Sequence, residues 1–303
     1  MTSESPADGK RPKRTGTLLE QTRRLLRRSG LRARKRLGQH FLIDEEALGV
    51  ILSAADIKPD DLIIEVGPGL GVLTVELAER AGRVIALELD DNLADLLEND
   101  LSSDENVSVI NEDVLKISPA DIIGDAVSGI PSRSYKVVAN LPYYITSPVL
   151  RHFLESDLQP EVMVVMVQKE VAEEITAKPG KMSLLSIGVQ LYGEPEIITL
   201  VPAASFYPPP EVNSAVLRVV PHKQPIIGID DRESFFVLVR AGFSAARKQL
   251  ANSLMRGLSL PKNEALALLE KAGIEPTRRA ESLSLEEWSH LWKIYSGTEN
   301  QRC

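Results

Sequence analysis

The feature that most narrows the fold is an alternation that begins near residue 44. Continuous apolar runs take turns with segments in helical register. Leu62 to Val66 is a short apolar run, followed by a glycine-rich turn and by Leu73 to Arg80 at helical spacing. Arg83 to Leu87 and then Asn92 to Asn99 repeat the pattern, and Ala47 to Ala55 is helical ahead of it. Val107 to Ile110, Lys136 to Ala139 and Val162 to Val167 are further apolar runs. Strands that are apolar throughout and separated by helices predict a mostly parallel sheet covered on both faces, an α/β fold. Ile197 to Val201 and Ala215 to Val220 are late strands around a proline-rich segment, a spacing that allows an antiparallel edge. From about Arg232 to Ser296 the pattern is helical and leucine-rich. A domain boundary is therefore expected near residues 221–230, with a larger domain over 17–225 and a small helical one over 226–303.

The charge is segregated. Net charge is −8, which argues against a nucleic-acid partner, because phosphate contacts come from Lys and Arg. Yet Lys10 to Arg36 carries twelve basic residues, among them Arg34, Lys35 and Arg36, against the single acid Glu20. Residues 1 to about 16 read as a disordered basic tail. Leu18, Leu19, Thr22, Leu25 and Leu26 recur at helical spacing with Arg between them, which predicts a basic amphipathic helix ending near Gly30. Such a segment is a solvated tail, an RNA contact or an organelle transit peptide on charge alone. No apolar run is long enough to span a bilayer. With one cysteine, Cys303, and scattered histidines, no zinc cluster is legible. A cytoplasmic, metal-free monomer is expected.

Glu65-Val66-Gly67-Pro68-Gly69-Leu70-Gly71 joins the first strand of the alternation to a helix. Glycines let a backbone turn sharply and approach a ligand closely. The spacing is neither the G-x-G-x-x-G of dinucleotide sites nor a P-loop, which needs Gly-Lys-Ser/Thr. The compact E-x-G-x-G-x-G form suits an adenosyl amino acid, S-adenosylmethionine; the plain alternative is a strand-to-helix turn. Glu88 ends the second strand, where a carboxylate accepts from ribose hydroxyls, and Asp113 follows the third, where it accepts from an adenine amine. Leu89 and Val114, their neighbours, are counted with the cofactor contacts.

The fourth strand ends in Asn140-Leu141-Pro142-Tyr143. An adenine amine is a poor nucleophile because its lone pair is delocalised into the ring. Two acceptors on its hydrogens, the Asn140 side-chain oxygen and the Leu141 carbonyl, favour the tetrahedral nitrogen that attack requires. Pro142 stiffens the turn and Tyr143 offers a ring for stacking. Asparagine is no strong base, and none is needed, since the charged product amine is acidic. Catalysis by such a set is in-line positioning with electrostatics. Phe206 to Ala215, a proline-rich stretch holding aromatics, suits a clamp on an extruded base or an ordinary packed loop.

Taken together these segments resemble the ribosomal RNA adenine dimethyltransferases, in particular their bacterial small-subunit (kasugamycin-resistance) branch, from about Thr22 to Trp292. The resemblance implies a Rossmann-like S-adenosylmethionine methyltransferase sheet with a small C-terminal helical domain that binds RNA. Leu37 to Leu42 matches the opening motif. Gln39 is thereby implied at the methionine end of the cofactor, with His40, in a slot more often filled by Asn, and Leu42 beside it. Glu65 to Gly71, Glu88, Asp113 and Asn140 to Tyr143 fall on cofactor and catalytic motifs. Gln168 to Ala172 matches a stretch after the fifth strand, and Phe206 inherits a base-stacking role. Phe243 to Asn252 resembles the family's basic helix, with Ala246 where a basic residue is common, leaving Arg247 and Lys248 for RNA.

The substrate implied is a pair of adjacent adenines in the 3′-terminal hairpin of small-subunit (16S) rRNA within an assembling subunit. The basic N-terminal helix and the cleft would face it. The acidic remainder suits recognition of a preformed ribosomal surface. Three rivals stay open: the macrolide-resistance methylase of large-subunit rRNA, methylation of a glutamine amide, and a methyltransferase-like binding or assembly factor. Leu141 and the acidic charge favour the small-subunit reading over the first. The Phe206 loop and the helical tail favour RNA over the second. The intact acceptor and cofactor residues argue against the third.

Overall fold

The structure is a computed structural model that describes residues 16–34, 38–126, 134–223, 228–229, 231–245 and 247–299. The tail expected to be disordered thus lies outside the described residues up to residue 15, as do Lys35 and Arg36.

In chain order the elements begin with α1 (Leu18–Ser29), β1 (Phe41–Leu42), α2 (Glu45–Ala55), β2 (Leu62–Val66), α3 (Val72–Ala78), β3 (Arg83–Glu88) and α4 (Asp91–Asp100). Next come β4 (Val107–Asn111), α5 (Pro119–Ala126), β5 (Lys136–Asn140), α6 (Thr146–Leu154), β6 (Val162–Gln168), α7 (Lys169–Ile175) and α8 (Leu184–Gln190). The chain ends with β7 (Gly193–Val201), β8 (Phe206–Tyr207), β9 (Ser214–Pro221) and the helices α9 (Arg232–Phe243), α10 (Leu250–Gly257), α11 (Lys262–Lys271) and α12 (Leu285–Glu299).

Seven strands make one sheet in the order β4-β3-β2-β5-β6-β9-β7. The pairs β4–β3, β3–β2, β2–β5 and β5–β6 are parallel. β9 runs antiparallel to β6, with Val165 opposite Leu217. The mostly parallel sheet with an antiparallel edge is therefore present. Its central strands read as unbroken apolar runs because helices cover both faces: every residue of β2 is buried. Each such Ile or Leu contributes roughly 1.5–3 kcal/mol by leaving water. Lys136, buried at the start of β5, is tolerated because it pairs with Asp61 at 2.7 Å and donates to the Asp56 carbonyl at 2.7 Å.

The chain moves from β2 to β3 and β4 on one side, then returns to place β5 on the other. Loops leaving β2 and β5 diverge at such a reversal, and a crevice opens at the carboxyl ends of the strands. The N-terminal segment approaches that end. Thr17 and Glu20 form a capping box at the start of α1, and Gly30 ends it in the left-handed conformation. Leu25 and Leu26 pack against Phe41, Leu70 and Leu93. β1 and β8 form a two-stranded ladder with Leu42 opposite Phe206.

The chain divides into two compact units, Met1–Lys169 with Ile197–Val219, and Glu170–Glu196 with Val220–Cys303. The second unit thus gathers α8 and all but the first residue of α7 as well as the four C-terminal helices. Its core is built on Trp288, fully buried and stacked on Phe243 at 5.8 Å. A side chain at Gly242 would put a Cβ 2.3 Å from the Trp288 ring, so α9 needs glycine there. Among the described residues no helix is long and apolar enough to cross a membrane.

Candidate active site

The loop after β2 forms one wall of a cavity at the carboxyl end of the sheet. Gly69 has φ +59, and a Cβ there would stand 3.2 Å from the Phe41 ring. Gly71, at φ +72, caps α3 without a side chain and would place a Cβ 2.7 Å from Leu97. Both positions strain any side chain on conformation, and Gly71 crowds one on space as well. Glu65 is 1 % exposed, and its Oε2 has no hydrogen-bond partner among the described residues. Burial drives its carboxyl up to about 8, with the Thr74 hydroxyl opposing and the Glu88 charge adding to the rise. A buried, neutral acid on a cavity wall is poised to ionise beside a cation.

Glu88 closes β3. Its Oε2 accepts from Gly69 N at 3.1 Å and its Oε1 from Asp90 N at 2.9 Å. Its pKa is raised because burial outweighs those amide bonds. Asp113 follows β4, and its Oδ1 accepts from Leu115 N at 3.1 Å. Leu89 is exposed and Val114 buried, and both line the cavity beside the two acids.

Asn140 ends β5 opposite Met166 of β6. Its Nδ2 donates to the His40 carbonyl at 3.0 Å. A carbonyl only accepts, so this bond fixes which way the amide faces. The Asn140 Oδ1 is left with no hydrogen bond among the described residues. Leu141 is buried and its amide donates to Met166 O at 3.2 Å. Pro142 lies against Gly67, where a Cβ would be 3.4 Å away. Tyr143 shares a hydrogen bond with Ser214 Oγ at 2.7 Å, and its ring stacks with His40 at 5.8 Å. Burial raises the Tyr143 pKa, and Ser214 opposes the rise. Gln39 is held from both ends: Nε2 donates to Asp90 Oδ2 at 3.0 Å, and Oε1 accepts from Arg34 N at 2.8 Å.

One cavity therefore gathers Gln39, His40, Leu42, Glu65, Gly67, Gly69, Glu88, Leu89, Asp113, Val114 and Asn140 to Tyr143. Gly71 stands behind its wall. Phe206 is 2 % exposed, packed in the ladder with Leu42 and absent from the lining. Arg34 pairs with Asp90 at 3.2 Å. Arg247 and Lys248 are exposed in the second unit, after α9. Sequence reasoning passed over Phe41, Glu112, Leu115 and Tyr144, which also line the cavity, and Asp90, which anchors Gln39. Only Asp90 carried a local signal, as the acid that caps α4. Among the described residues no His, Cys, Asp or Glu cluster suits a metal.

The model of the ribosomal RNA adenine dimethylase family matches residues 30–296. A relative from Dehalococcoides mccartyi, named ribosomal RNA small subunit methyltransferase A, is 53% identical over 287 residues, covering 94% of this chain and 96% of its own. A dimethyladenosine transferase from Plasmodium falciparum superposes with a TM-score of 0.72 at 25% identity, over 86% of this chain and 98% of its own. The 23S rRNA methyltransferase ErmE gives a TM-score of 0.65 at 29% identity, over 84% and 99%. Matched from before its first sheet strand to its last helix, the chain belongs to the ribosomal RNA adenine dimethylase family.

Proposed function

We propose that this protein transfers methyl groups from S-adenosylmethionine to N6 of two adjacent adenines in the 3′-terminal hairpin of 16S rRNA. The product is N6,N6-dimethyladenosine, made during assembly of the small ribosomal subunit. The observation that carries the chemistry is the Asn140 amide, whose nitrogen is committed to His40 and whose oxygen is free at the cavity. The relative at 53% identity carries a small-subunit name, while the large-subunit enzyme ErmE stands at 29%. Small-subunit RNA is therefore the favoured substrate, and the large-subunit methylase is the second reading.

The cavity fits the cofactor. The unpartnered Glu65 Oε2 calls for a cation, and the left-handed turns at Gly67 and Gly69 lay the loop backbone along the cavity wall. Glu88 would hold the ribose hydroxyls, Asp113 the adenine amine, and Leu89 and Val114 the faces of the ring. Gln39, the backbone at His40 and Leu42 would close the methionine end. When bound, S-adenosylmethionine supplies a methyl group already activated by its positive sulfur. Asn140 Oδ1 and the Leu141 carbonyl would accept from the target amine, drawing its lone pair out of the ring. Pro142 keeps these acceptors in register, and Tyr143 would stack on the base. Fixed dipoles of this kind act without reorganising as charge develops. Phe206, buried as it is, offers no face to a base in this arrangement; its ring would have to leave the ladder to stack. Arg34, Lys35, Arg36, Arg247 and Lys248 are the proposed RNA contacts.

Asn140→Ala tests the mechanism. Cofactor affinity, read by calorimetry, should stay within about threefold, while methyl transfer falls roughly 100- to 1,000-fold, the usual cost of removing one transition-state hydrogen bond. Full activity in that variant would remove Asn140 from the reaction.

A further inference from the structure

His40 stands where the acceptor, the stacking ring and the proline-rich loop meet. Its carbonyl receives the Asn140 amide at 3.0 Å. Its ring stacks with Tyr143, centroids 5.8 Å apart and planes 22° apart. Its Nδ1 lies 2.8 Å from the Pro208 carbonyl. That carbonyl only accepts, so Nδ1 carries a proton and donates. Pro208 follows Tyr207, whose ring lies under the Arg23 guanidinium of α1 at 5.2 Å. One side chain thus ties the loop after β8 to the catalytic turn, while its own backbone sets the Asn140 amide.

We propose that His40 is a positioning residue for methyl transfer, clamping the Phe206–Pro210 loop onto Tyr143 and so holding the Asn140 oxygen in register with the target amine. This rests on the methyl-transfer function proposed above. The imidazole is satisfied by Pro208 and Tyr143, so its contribution lies in geometry. Methyl transfer is in-line, and a displacement of about 1 Å of an acceptor costs on the order of 100-fold in rate. The bond needed from position 40 is a single donor to the Pro208 carbonyl. An asparagine amide supplies one; alanine and phenylalanine do not.

The test compares His40→Ala, His40→Phe and His40→Asn in the full chain, with unmethylated small subunits as substrate. Each variant is measured for cofactor dissociation constant by calorimetry and for kcat and KM separately. His40→Ala should keep the cofactor dissociation constant within about threefold and lower kcat roughly 10- to 100-fold. His40→Phe keeps a ring for Tyr143 without the donor and should also lose kcat. His40→Asn should restore kcat to within a few-fold of the native chain. Unchanged kcat in the alanine variant overturns the proposal, as does an asparagine variant as slow as the alanine one. A loss confined to cofactor affinity also overturns it, by making His40 a cofactor contact. If the native chain itself methylates no adenine, the function proposed above fails, and that outcome is separate from any difference among the variants.

Discussion

Glu65 shows how burial changes the titration of an ordinary carboxyl. In the unfolded chain its carboxyl ionises near the ordinary value of 4.5, and in the fold it is held up to about 8. A group whose folded pKa is raised contributes stability below the unfolded value and loses it as pH rises through the folded one. Between these limits the folded protein therefore carries a penalty that glutamine would not. Glu65→Gln should raise the stability of the cofactor-free protein at pH 7.5 by roughly 1–3 kcal/mol and change it little near pH 4. The same variant should bind S-adenosylmethionine more weakly, and the loss should grow as pH rises through 8, where the native side chain ionises. Melting curves across pH with and without cofactor check both signs; a destabilised variant at pH 7.5 would refute the assignment. Glu88 acts differently, because both its oxygens already accept backbone amides. Glu88→Ala should raise the cofactor dissociation constant roughly 10- to 100-fold, the cost of about one or two charge-assisted hydrogen bonds. An unchanged constant would take the ribose away from it.

The elements that hold these residues differ in how visibly the sequence announces them. The turn into α3 is the most demanding: Gly71 is left-handed and leaves no room beside Leu97. Gly71→Ala should cost on the order of 1–2 kcal/mol in urea unfolding, from backbone strain alone. A neutral substitution would mean that the turn relaxes. Expected and observed strands agree closely at β2, β3, β5 and β6, because strands buried on both faces leave unbroken apolar runs. The ladder of β1 and β8 was not legible, since two-residue strands have no period. α6, which begins Thr146-Ser147-Pro148, was not among the expected helices; proline in a first turn gives up no helical hydrogen bond. At the site, the glycine loop, the acids ending β3 and following β4, and the Asn140 turn were all readable from order and spacing. Partnerships across the chain were not: Gln39 with Asp90, and Tyr143 with Ser214, join residues far apart in sequence. The expected face of Phe206 rested on the resemblance, and its burial depends on pairing with Leu42, which no local pattern encodes.

Across the whole molecule the governing fact is a net charge of −8 with its positive end gathered before residue 37. An acidic protein that binds RNA must do so through a small basic footprint. Arg24 and Arg27 are exposed on α1, whose other face is anchored by Leu25 and Leu26. Replacing both arginines by alanine should weaken binding to small subunits and lower the slope of log affinity against log salt by up to about 2, one for each phosphate that is no longer neutralised. An unchanged slope would place the footprint elsewhere. The most direct trial of the whole account is transfer of labelled methyl groups from S-adenosylmethionine to unmethylated small subunits, large subunits and ribosome-free protein extract. Product nucleosides would be identified by mass spectrometry. The account predicts N6,N6-dimethyladenosine in small-subunit RNA alone, at two adjacent positions of the 3′-terminal hairpin. Label in large-subunit RNA, or in protein without RNA, would contradict it.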